Sequence, residues 1–191
     1  MQPPRPSLRY KFNIIIWLAM AGYLSWFCST PGAAQALSVG QPAPFFSVES
    51  GTEDRLTLDM VKGKVIVLFY ETKDMVKKNE ELKDRLTEFY HEQHEAIQSK
   101  VVRLVVINCT SANWPTVKIW KNKLYQSSLK QNLTIYGDWN GKMFADYQMQ
   151  DNDSNFMIID KASIIRFSKT GKVETELIPQ IKDLLWQLVQ K

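Results

Sequence analysis

Two largely apolar runs, Val65 to Tyr70 (VIVLFY) and Val101 to Ile107 (VVRLVVI), constrain this chain more than any other feature. Both are rich in β-branched residues and neither alternates cleanly with polar ones, the pattern of strands covered on both faces. Between them, Leu82, Leu86, Phe89, Tyr90 and Ile97 recur at helical spacing among charges. This predicts one helix from about Met75 to Gln98. Strand, helix, strand of this length is a parallel βαβ unit, because parallel strands need a long crossover.

The rest of the chain extends that unit. Pro42 and Pro44 exclude helix from the entry at Leu37. Phe45 to Glu49 reads as a short strand, followed by a turn from Gly51 to Arg55. Asn113 suits a helix N-cap and Pro115 a first turn, with Val117, Trp120 and Leu124 carrying the helix to about Ser128. Leu133 to Tyr136 reads as a strand and Lys142 to Tyr147 as a short helix. Phe156 to Ile159 and Ile164 to Phe167 form a hairpin around Lys161-Ala162, and Ile178, Ile181, Leu184, Leu185 and Leu188 mark a terminal helix. The expected class is α/β: a central mixed sheet flanked by helices, with a C-terminal β-hairpin and helix.

The first 36 residues read as an export signal. Arg5, Arg9 and Lys11 precede Phe12 to Cys28, in which 14 of 17 residues are apolar, and Ala34-Gln35-Ala36 is a small-x-small cleavage site. Cleavage before Leu37 would leave a domain from residue 37 to residue 191 in the periplasm or outside the cell. The other reading is an uncleaved inner-membrane anchor, although 17 residues rise only about 25 Å against a hydrocarbon core of about 30 Å. The chain's formal charge of +4 shrinks to +1 once those three cations are removed, since all 20 acids lie in the domain. A nucleic-acid partner is therefore not expected. Removal of the signal also takes Cys28, leaving Cys109 without a disulfide partner.

Val39-Gly40-Gln41-Pro42-Ala43-Pro44-Phe45-Phe46-Ser47 and the stretch Val61-Lys62-Gly63-Lys64 leading into the first apolar strand resemble peroxiredoxins and exported thioredoxin-like reductases. The element order is likewise thioredoxin-like. The resemblance implies a nucleophilic cysteine after that strand, at a helix N-terminus that stabilises thiolate. Glu71 to Asn79 (ETKDMVKKN) contains none; the pair would fall near Asp74 and Lys77. The resemblance also implies a cis-proline just before the Phe156 strand, where Ser154 stands. A closer likeness is to the YtfJ-like family of small periplasmic thioredoxin-fold proteins, carried by Lys78-Asn79, Val106-Ile107-Asn108 and Phe156 to Gly171 (FMIIDKASIIRFSKTG). That family also lacks a CxxC, and no settled activity comes with it.

Glu71, Thr72, Lys73, Asp74 and Lys77 occupy the position at which relatives do chemistry, and with Ser154 they are candidates for holding a ligand or partner. Asp74 equally suits a first-turn acid or N-cap. Trp139, between Gly137-Asp138 and Asn140-Gly141, reads as an exposed turn aromatic. Trp114 and Trp120 are assigned mainly to packing. Cys109 closes the second strand; a lone cysteine there is either a buried small hydrophobe or a single-thiol nucleophile or redox sensor. His91 and His94 have no third ligand in support, so neither a metal nor a cofactor is expected.

The expected function is that of an exported, redox-inactive binding or accessory protein of the envelope, with an envelope protein or small ligand as partner. The alternative is a redoxin-type thiol enzyme or sensor that uses Cys109.

Overall fold

The structure, a computed structural model, describes residues 37–190. The proposed signal segment and Cys28 lie outside the described residues. Seven strands form one mixed sheet in the order β2-β1-β5-β4-β3-β6-β7. They are β1 (Ser47–Ser50), β2 (Arg55–Thr57), β3 (Val65–Glu71), β4 (Val101–Asn108), β5 (Ile135–Asp138), β6 (Ser154–Ile159) and β7 (Ile165–Thr170). The helices are α1 (Glu80–His91), α2 (Glu95–Gln98), α3 (Val117–Gln131), α4 (Lys142–Asp146) and α5 (Ile178–Gln190).

β3, β4 and β5 run parallel, so their C-terminal ends share one edge of the sheet. β6 returns antiparallel beside β3 and pairs with β7 in the expected hairpin. β3 is buried along its whole length because both faces are covered. On one face Val65, Val67, Phe69, Val105 and Ile107 meet Leu82 and Leu86 of α1, Leu124 of α3 and the apolar stripe of α5. That stripe is Ile178, Ile181, Leu185 and Val189, at the three- and four-residue steps of one helix face. On the other face Ile66, Leu68, Tyr70, Leu104 and Val106 pack under Phe46, Met143 and Tyr147.

Three expectations are corrected. The helix predicted from Met75 to Gln98 is two helices, and the first begins only at Glu80. Residues 73–75 form one 3-10 turn instead. Lys73, Lys77 and Lys78 would crowd cations at the positive end of a helix, whereas Glu80 and Glu81 put acids in its first turn. The break at 92–94 is closed by side chains: Gln93 Nε2 donates to the Phe89 carbonyl at 2.9 Å and Gln98 Nε2 to the Gln93 carbonyl at 2.8 Å. Asn113 does not cap α3; Thr116 holds that position, and the Asn113 carbonyl accepts from the Thr116 and Val117 amides at 2.6 and 3.1 Å. Finally, residues 55–57 form an edge strand on β1 rather than only a turn.

Candidate functional site

The C-terminal ends of the parallel strands make the edge at which open α/β sheets usually carry their sites. Here β3 ends in Glu71 and β6 begins with Ser154, and register places the two opposite each other. Both are fully buried. Ser154 Oγ donates to Glu71 Oε1 at 2.8 Å, and Lys83 Nζ from α1 reaches Glu71 Oε2 at 2.6 Å. Asn79 completes the cluster from the loop before α1. Its Nδ2 donates to Ser154 Oγ and to the Gly171 carbonyl, both at 2.9 Å, while its Oδ1 accepts from the Val173 amide at 2.8 Å.

Taking a carboxylate out of water costs several kcal/mol unless it is paired and hydrogen-bonded. Glu71 has both forms of compensation. Burial pushes its pKa up, Lys83 and Ser154 pull it down, and the net direction is upward. Lys83 is itself held by the Val76 carbonyl at 2.6 Å and lies 5.3 Å from the centre of the Phe69 ring. Glu71, Ser154, Asn79 and Lys83 thus join two strands, a loop and a helix through satisfied polar contacts. Neither Glu71 nor Ser154 has surface to offer a ligand, so direct contact by these two is corrected: each is occupied by the other.

The accessible part of the edge lies above this network. Lys73, Asp74 and Lys77 are exposed. Asp74 lies in the first turn of the 3-10 segment, whose N-cap position is Thr72 and carries no side-chain cap. Thr72 Oγ1 is buried without a hydrogen-bond partner among the described residues. Lys73 Nζ lies 5.9 Å from the centre of the Trp120 ring, tying the loop to α3. Lys78 pairs with Asp153 at 2.6 Å and holds the loop against the start of β6.

Two aromatic assignments reverse. Trp139 is not a free turn aromatic: it packs against the core, and its Nε1 donates to the Glu49 carbonyl at 3.1 Å. Trp114, in the loop after β4, is 90% exposed. Sequence reasoning missed it because the available signal, an aromatic between Asn113 and Pro115, also fits helix packing. His91 ends α1 and His94 is the N-cap residue of α2; both are exposed, and no cluster of metal-binding side chains occurs among the described residues.

Cys109 follows β4 and is fully buried. Burial, with the nearby Asp138 carboxylate, pushes its thiol up to about 12. A thiol so shifted supplies negligible thiolate at neutral pH, and the thiolate is the nucleophile. Asp138 is engaged as well: its Oδ2 accepts from the Tyr70 hydroxyl at 3.1 Å and the Phe144 amide at 2.9 Å.

Sheet order, the parallel core and the C-terminal hairpin and helix define a thioredoxin-like protein. The family model described as the AhpC/TSA family matches residues 39–173, and the chain belongs to that family. Solved structures share the fold at low identity. An exposed lipoprotein thioredoxin of Streptococcus pneumoniae is 20% identical with a TM-score of 0.54, over 74% of this chain and 99% of that one. The thioredoxin domain of a thiol-disulfide oxidoreductase from Bacteroides vulgatus is 12% identical with a TM-score of 0.57, over 78% and 99%. A thiol peroxidase from Chromobacterium violaceum is 10% identical with a TM-score of 0.55, over 80% and 88%. Comparison with curated proteins gives no match.

Proposed function

We propose that this chain is an exported binding protein of the bacterial envelope, of the YtfJ-like branch, that keeps the redoxin fold without thiol–disulfide exchange. One observation carries the reading: the buried Glu71–Ser154–Asn79 cluster brackets the cysteine-free Asp74–Lys77 stretch where the resemblance expects the thiols, with Ser154 at the position of the expected cis-proline. The basic, apolar and small-x-small order of residues 5–36 supports export. Burial of Cys109 counts against the alternative of a single-thiol enzyme or sensor.

In this reading the partner is an envelope protein that docks on Thr72, Lys73, Asp74 and Lys77, with Trp114 as an anchor. A solvent-facing tryptophan in the loop after β4, the strand next to β3, is the kind of group that dominates interface energetics. No chemistry at the partner is required, since the network beneath serves to hold the docking loop. The test is photo-crosslinking in the envelope from position 76, an exposed residue of the docking loop, followed by partner identification. Capture lost in a folded Lys73→Ala, Asp74→Ala, Lys77→Ala variant supports the site. Unchanged capture removes it.

A further inference from the structure

A cavity of about 550 Å³ lies on the α1 face of the sheet, within the range of about 300–1,000 Å³ typical of small-molecule sites. Its floor is mainly apolar and includes Val67, Phe69, Val105 and Ile107. Two charged strand residues break that floor: Glu71, which is paired with Lys83, and Arg103. Arg103 is the third residue of β4 and alternates onto the same face as Val105 and Ile107, opposite Val67 in register. Among the described residues its guanidinium has no carboxylate within salt-bridge distance. Its neighbours are Thr87 Oγ1 at 3.5 Å and the Tyr90 ring, with 4.6 Å to the centroid.

A half-buried guanidinium beside apolar surface is costly unless an anion meets it, and its planar fork suits an oxyanion. The acids of the same cavity do not fill that role. Glu71 is paired with Lys83, while Asp84 and Glu80 lie on the α1 wall, about one and two turns respectively from Thr87 toward the Glu71 end. We propose that the cavity binds a single-chain amphiphile whose carboxylate or phosphate head pairs with Arg103 and whose apolar chain covers the Val67–Phe69–Val105 floor. Lys77 lines both the cavity and the docking edge, but Arg103 and the apolar floor belong to the cavity alone, so the proposal stands or falls without partner docking.

The test is calorimetric titration of the full-length protein with dodecanoate and dodecyl phosphate below their micelle concentrations, with dodecanol as the uncharged control. Arg103→Met keeps the apolar stem and removes the fork. It is expected to weaken both anions at least tenfold and to leave dodecanol unchanged. Thr87→Trp, on the helix wall beside the guanidinium, is expected to weaken all three, and thermal melts confirm that both variants fold. Preference between the two anions distinguishes a fatty-acid ligand from a lipid phosphate. No binding by the wild type, or anion binding that Arg103→Met leaves intact, overturns the proposal.

Discussion

Glu71 and Ser154 face each other across the β3–β6 ladder, and the serine hydroxyl donates to the carboxylate at 2.8 Å. Ser154, at the position of the missing proline, is thereby bonded to the first residue of the Glu71–Asn79 stretch that lacks the expected thiols. Asn79 and Lys83 extend the pair into a polar network that ties β3, β6, α1 and the loop before it together at that edge.

Removing Lys83 leaves a buried carboxylate without its counter-ion. Lys83→Met should cost about 3 kcal/mol, the lower end of the range for a broken buried pair because the lysine is partly exposed. That corresponds to a drop of about 6–12 °C in melting temperature. Glu71→Leu combined with Lys83→Met should recover most of the loss, since an apolar pair needs no counter-ion. Thermal melts of the three proteins check this; a double variant worse than Lys83→Met contradicts it.

Two carboxylates should give opposite pH signatures. Glu71 has its folded pKa raised from 4.5, chiefly by burial, so the stability it contributes is present below that value and is lost as pH rises through the folded pKa. The difference between wild type and Glu71→Gln should therefore move in favour of the variant as pH climbs from 4.5. Asp160 goes the other way. Burial raises its pKa, but the Ile164 and Ala162 amides and Arg166 outweigh it, and the net value lies below 3.8. Its contribution is present above that pH and fades as pH falls through the folded pKa. Denaturant titrations of Asp160→Asn should show the largest deficit at neutral pH, about 1.5–3 kcal/mol for hydrogen bonds to a charged group.

Gly51 sits where the β1–β2 turn meets α3. A methyl group there would lie 2.3 Å from the Lys121 carbonyl oxygen and 2.7 Å from the Tyr125 nitrogen, both backbone atoms. Gly51→Ala should destabilise by about 1–3 kcal/mol through forced separation of turn and helix. An unchanged urea midpoint contradicts this close approach.

Trp114 should separate binding from folding. At 90% exposure it contributes little to the core, so Trp114→Ala should leave the melting temperature within about 1 °C of wild type while abolishing partner capture. A large loss of stability would show that the ring packs on the protein itself.

The strands at 65–70 and 101–107, the hairpin and the α5 stripe were legible because each pattern is local: a continuous run or a repeat of three and four. The polar network was not, because Glu71 and Ser154 are 83 residues apart and only register brings them together. The start of α1 was misjudged because apolar spacing continued through a lysine-rich segment that electrostatics excludes from a helix N-terminus. Trp114 and Trp139 exchanged roles since loop sequence records the ring but not the direction it takes. Arg103 was hidden inside a run whose overall apolarity outweighed one charge.

The most direct test of the proposal that this chain carries out no thiol chemistry is the rate of Cys109 alkylation in the native protein, followed by peptide mass mapping from pH 6 to 9. With the thiol fully buried and its pKa pushed up to about 12, labelling should be slow throughout and accelerate only in denaturant. Rapid, complete labelling of Cys109 at neutral pH, accompanied by peroxide consumption, would contradict it.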